Sequence, residues 1–114
     1  MKKTLLTTAF ILLASPAFAH AHLVSEQPAD GAIAAAPSVL TLTFTESVAL
    51  KFSGISLTGP AGAIALGDAS LDAAGTTLSL PLPAPLPPGT YTVAWHALST
   101  DGHKTTGSYS FTVQ

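Results

Sequence analysis

Apolar and polar residues alternate with a period of two along much of this chain, a pattern that suits strands and not helices. Leu40, Leu42 and Phe44 point one way and Thr41, Thr43 and Thr45 the other, predicting a half-buried strand over residues 39–46. Residues 76–82 alternate through Leu78, Leu80 and Leu82. In residues 90–98, Tyr91, Val93 and Trp95 face one side and Thr92, Ala94 and His96 the other. Residues 105–113 carry Gly107, Tyr109, Phe111 and Val113 on one face, with Ser108, Ser110 and Thr112 opposite. Further strands are predicted over 52–58, ended by Gly59-Pro60, and around 63–66. Residues 20–37 read as loop-rich, with a turn at Pro28-Ala29-Asp30-Gly31. Residues 81–89, with prolines at 81, 83, 85, 87 and 88, read as a crossover that cannot pair rather than as a polyproline ligand. No helical periodicity follows Ala19. The expectation is an all-β, antiparallel Greek-key sandwich of about seven strands, with Trp95 at the centre of its core.

The 114 residues support one domain. A hydrophobic fraction of 47% against 9% charged residues excludes intrinsic disorder. The chain has no Arg and a net charge of −2, which argues against nucleic-acid binding. The absence of Cys excludes disulfides, thiol catalysis, zinc ribbons, iron–sulfur clusters and blue-copper sites. Lys2 and Lys3 precede an apolar stretch at 5–14, Pro16 breaks it, and Ala17-Phe18-Ala19 has the small-x-small form of a cleavage site. Residues 1–19 therefore read as a signal peptide and 20–114 as the mature domain, with cleavage after Ala19; Ala19-His20-Ala21 would also allow a cut after Ala21. Residues 20–114 keep two lysines against all six acids, a formal charge of −4, and hold all four histidines.

Cleavage after Ala19 would expose the α-amine of His20 beside its imidazole, and the two can chelate one metal ion in a six-membered ring. Asp101-Gly102-His103 places two more donors at i and i+2, and Gly102 allows the backbone to bend so that they converge. Four nitrogen and oxygen donors without thiolate suit tetragonal Cu(II), which the Irving–Williams order also favours. A competing arrangement uses the amine, two deprotonated amides and the third-residue imidazole of His20-Ala21-His22 to hold Cu(II) or Ni(II). It requires a flexible N-terminus; otherwise His22 lies at the surface or beside the site. Glu46, at the end of the 39–46 strand, reads either as an exposed charge or as a carboxylate orienting a ligating imidazole. His96 reads as a structural strand histidine, while Ser99 and Thr100 can stiffen the loop. No Ser-His-Asp spacing or phosphate loop is present. A copper oxygenase and a metal-free structural module are the alternatives to a copper carrier.

These residues resemble the CopC copper-resistance family. The resemblance runs through His20-Ala21-His22-Leu23, Pro28-Ala29-Asp30-Gly31, Leu42-Thr43-Phe44-Thr45-Glu46 and Phe52-Ser53-Gly54. It continues through Pro88-Gly89-Thr90-Tyr91, Trp95-His96, Asp101-Gly102-His103 and Thr106-Gly107, in order over essentially the whole mature chain. It implies a periplasmic, non-enzymatic copper carrier with an immunoglobulin-like β-sandwich or barrel. The implied Cu(II) ligands are the amine and imidazole of His20, with Asp101 and His103, and Glu46 matches the family's acidic residue near that site. Some members carry a Met-rich loop for Cu(I); the one Met here is Met1, which implies a Cu(II)-only member. An inner-membrane partner of the CopD type is implied, and a monomer is expected.

Overall fold

The computed structural model describes residues 21–114. The predicted signal peptide and His20 lie outside the described residues. Among the described residues nine strands form two sheets: β1 (Leu23–Gln27), β2 (Ile33–Ala34), β3 (Val39–Phe44), β4 (Gly54–Gly59), β5 (Gly62–Ile64), β6 (Ser70–Leu71), β7 (Thr77–Pro81), β8 (Gly89–Leu98) and β9 (Lys104–Val113). One sheet has the order β1-β3-β7-β6 and the other β2-β9-β8-β4-β5. The expected all-β sandwich is the architecture found.

The alternating segments bury the faces that the sequence predicts. Leu40, Leu42 and Phe44 of β3 and Leu78 and Leu80 of β7 share one core with Leu57, Tyr91, Val93, Ala97, Tyr109, Phe111 and Val113 of the other sheet. At roughly 25 cal/mol for each Å² of apolar surface removed from water, this shared interior is what holds the two sheets together. The unpaired connection is shorter than the 81–89 reading, because Pro81 pairs with Val39 at the end of β7 and Gly89 with Val113 at the start of β8; within it Leu86 is buried in the core, and the Tyr91 hydroxyl donates to the Pro87 carbonyl at 2.6 Å.

Several local readings change. The supposed loop at 20–37 contains β1, which pairs with β3 through Glu26↔Leu42 and Gln27↔Thr41. β1 is an edge strand whose register shifts between Leu23 and Ser25; an interrupted, half-covered strand leaves no period-two signature. β2 pairs with β9 in parallel, so the sandwich is not wholly antiparallel. The 39–46 strand stops at Phe44, where the chain bends through Thr45 and Glu46. A 3₁₀ turn at Leu50–Phe52 occupies the start of the predicted 52–58 strand, which begins instead at Gly54. β6 had no distinguishing pattern.

Trp95 is not the core centre. It is partly buried and packs edge-on against Phe44, with ring centroids 5.2 Å apart. It faces Gly107 across the β8–β9 ladder, where a Cβ would stand 2.6 Å from the indole Cζ2. The missing side chain at Gly107 is what lets the indole lie flat over β9 at the margin of the sandwich. The centre belongs to Tyr91 and Phe111, each 1% exposed and stacked at 5.7 Å.

Tyr109 offers a test of the packing. Its hydroxyl is buried with no hydrogen-bond partner among the described residues. Burial, with the nearby charges of Glu26 and Asp30, raises its pKa far above the ordinary tyrosine value. An unpaired buried hydroxyl costs about 1–3 kcal/mol. Tyr109→Phe should therefore leave stability unchanged or raise it by up to about 1 kcal/mol in urea denaturation; a clear loss would mean that the hydroxyl has a partner.

Candidate metal centre

The β8–β9 connection carries the Asp101-Gly102-His103 motif. The turn closes because Gly102 N–H donates to Ser99 O and Ser99 N–H donates to His103 O, both at 2.9 Å. Gly102 adopts φ +96°, a conformation that side-chain-bearing residues rarely take. The two flanking side chains meet, with Asp101 Oδ1 3.1 Å from His103 Nδ1. The observed distance is that of a hydrogen bond or ion pair between the two side chains, which keeps both donors together on the turn. The pair is also accessible, with His103 51% and Asp101 37% exposed.

Ser99 organises the pair from below. It is 1% exposed, its hydroxyl donates to Asp101 Oδ1, and its Oγ accepts the His103 N–H at 3.2 Å. The Ser99 hydroxyl above all lowers the Asp101 pKa below its ordinary 3.8; desolvation opposes it, and the His103 ring and amide add smaller lowering contributions. The carboxylate is therefore ionised across the neutral range. The sign follows from linkage. A depressed folded pKa stabilises the loop above the ordinary aspartate value, and that contribution disappears as pH falls through the folded pKa. In an NMR pH titration Asp101 should titrate below 3.8, and Ser99→Ala should move the midpoint upward. An unmoved midpoint would remove Ser99 from this role.

Long-range contacts bring two more segments to this end of the sandwich. Residues 45–49 run beside the loop. Thr100 N–H donates to Ser47 O at 3.1 Å, Ala49 N–H donates to Leu98 O at 2.8 Å, and Val48 bridges to Ser99. The same segment holds the start of the described chain, since His22 N–H donates to Thr45 Oγ1 at 3.0 Å and Thr45 N–H donates to His22 O at 2.8 Å. Ala21 is fully buried, and its carbonyl accepts the Thr105 hydroxyl at 2.7 Å. Ala21 is thereby tied to a residue two positions beyond His103.

Of the residues singled out from sequence, Asp101 and His103 are brought together. Glu46 is half-buried in the segment beside the loop, and His22 is exposed with its backbone paired to Thr45. Neither completes a set, because among the described residues no three His, Asp or Glu side chains converge on one point. His96 stands on the outer face of β8 over Gly54, where a Cβ would lie 2.9 Å from its Cε1. The anchors Thr45, Ser47 and Thr105 were not foreseen, since nothing in their sequence context separates them from other strand threonines and serines.

The CopC domain family matches residues 23–114. The chain is 43% identical over 113 residues to Protein YobA of Escherichia coli (strain K12), covering 96% of this chain and 90% of that protein. It is 36% identical over 123 residues to Copper resistance protein C of Escherichia coli, covering 100% of this chain and 98% of that protein. Its fold superposes on PcoC, a methionine-rich copper resistance protein from Escherichia coli, with a TM-score of 0.76 and 37% identity over 83% of this chain and 99% of that one. With the family's domain spanning the sandwich from β1 to the last residue, and relatives matched over nearly their whole length, the chain belongs to the CopC family.

Proposed function

We propose that this chain is an exported, non-enzymatic Cu(II)-binding protein that buffers or delivers copper in the periplasm. Residues 1–19 act as a signal peptide, and cleavage after Ala19 creates the metal site. The ligands are the amine and imidazole of His20 with Asp101 and His103, while Glu46 and His22 sit in the segments that frame them. A copper-related role follows from relatives that are copper resistance proteins. An inner-membrane partner of the CopD type and a monomeric state complete the reading.

One observation carries it: the Ala21 carbonyl is bonded to Thr105, beside the loop in which Asp101 and His103 already stand 3.1 Å apart. His20 is one Cα–Cα step, about 3.8 Å, from Ala21. The described residues supply only a pair, and a terminal chelate is the kind of donor that such a pair lacks. The donor types favour Cu(II): amine, imidazole and carboxylate suit it, whereas Cu(I) prefers thioether and thiolate. PcoC is methionine-rich, whereas this chain has one Met and no Cys. The rival His20-Ala21-His22 chelate needs the His22 amide as a metal ligand, and that amide is held by Thr45 Oγ1.

The test is a Cu(II) titration of the exported protein followed by EPR. His103→Ala and Asp101→Ala should each weaken binding by about tenfold or more, or roughly 1.4 kcal/mol, and change the hyperfine pattern. Spectra and affinities unchanged in both variants would transfer the metal to the His20-Ala21-His22 mode.

A further inference from the structure

A groove of about 330 Å³ runs along the outside of the β8–β9 hairpin, lined by Lys51, Phe52, His96, Ala97, Lys104, Thr105 and Thr106. It gathers the only two lysines of residues 21–114, from positions 51 and 104, and none of that region's six acids lines it. Phe52 is 57% exposed beside it, with Lys51 Nζ 5.9 Å from its ring centroid. An exposed aromatic face in a groove that two lysine side chains line, in an otherwise acidic domain, is complementary to a small anion with a carbon skeleton. The volume lies at the lower end of the range of small-molecule sites, about 300–1,000 Å³. A docked protein segment would need about 800 Å² of surface on each partner.

We propose that this groove binds small organic polycarboxylates and thereby seats the chelator of an anionic Cu(II) complex beside the metal loop. The second clause rests on the copper reading above. The position supports it: Lys104 directly follows His103, and Thr105, which lines the groove, also holds the Ala21 carbonyl. The lysines offset the repulsion that a net-negative domain exerts on an anionic complex and raise the encounter rate. In the exchange, bonds from copper to chelator carboxylate oxygens break and bonds to protein nitrogen and oxygen donors form. The carboxylates leave ionised, protons displaced from amine or imidazole pass to solvent, and copper remains Cu(II).

The experiment titrates citrate into the copper-free exported protein and follows backbone amide NMR shifts. Shifts should cluster at residues 51–54, 96–97 and 104–106, and Lys51→Gln with Lys104→Gln should weaken binding at least about fivefold. Scattered shifts, an unaffected double variant, or tighter binding of inorganic phosphate than of citrate would overturn the polycarboxylate assignment. A stopped-flow arm loads copper from copper citrate. The double variant should load at least about threefold more slowly at unchanged equilibrium copper affinity, and equal rates would overturn the role in delivery. A protein that binds citrate in the groove but no copper from any source would sink the copper reading while leaving the carboxylate site standing.

Discussion

One extra residue placed before His20 in the exported protein should weaken Cu(II) binding by about a hundredfold, close to 2.7 kcal/mol, without unfolding it. The extension converts the His20 amine into an amide, which does not donate to Cu(II) at neutral pH unless it is deprotonated. On the proposed site the six-membered chelate between the α-amine and the imidazole of His20 would be lost, and any replacement chelate would need a deprotonated backbone amide. Ala21 remains buried and bonded to Thr105, so the fold is untouched. Competition titration against a chromophoric chelator measures the affinity, and an unchanged thermal midpoint of the copper-free protein certifies the fold. Because protonated amine and imidazole must lose a proton to bind a metal, wild-type affinity should also fall as pH drops below about 7. Asp101, held ionised by Ser99, should not limit binding in that window. If the extended protein keeps wild-type affinity, the terminal amine is not a ligand.

Phe111→Ala should destabilise the copper-free protein by about 3–5 kcal/mol. Phe111 is 1% exposed and stacks on Tyr91 at 5.7 Å, between the strands that the Asp101–His103 loop connects. Truncation removes the transfer energy of the ring and leaves a cavity that a β-sandwich closes poorly. Against a typical total of about 5–15 kcal/mol for a domain, that is a large share, and it should lower the thermal midpoint by at least about 12 °C. The measurement is made without copper, because any ion that bound the folded state would add its own stabilisation by mass action. A loss below about 1 kcal/mol would mean that the Tyr91–Phe111 pair is not the centre of the core. The Tyr91 hydroxyl also holds the Pro87 carbonyl at 2.6 Å, so loosening the ring pair should release the proline-rich connection as well.

The strands that were legible are those that bury one face through a run of alternate residues. β3, β7, β8 and β9 each place successive apolar residues on the same side, and period-two alternation is the direct imprint of that burial. β1, β2 and β6 are short or irregular strands at or near sheet edges, and their pairing depends on a neighbour rather than on their own pattern. Trp95 shares the inward face of β8 with Tyr91 and Val93, but a place on that face does not make a residue central, and Trp95 is only partly buried. The cleft above Gly107 that accepts its ring exists only once β8 and β9 are paired.

The Asp101–His103 loop divides in the same way. Asp101, Gly102 and His103 are neighbours in the chain, so their convergence is a local matter of two donors around one flexible residue, and reading along the chain suffices to find it. Ser99, at i−2 from Asp101, is nearly as local. The approach of the chain's beginning to that loop is not local. It depends on Thr105 reaching Ala21 across 84 positions and on His22 pairing with Thr45 across 23. Neither contact leaves a trace in composition or spacing, because a threonine hydroxyl bonds whichever carbonyl the packed sheets deliver to it. Alternation and motif were enough to identify a β-sandwich with a metal-competent loop. Bringing a third segment within reach of that loop required the two sheets to close on a shared core.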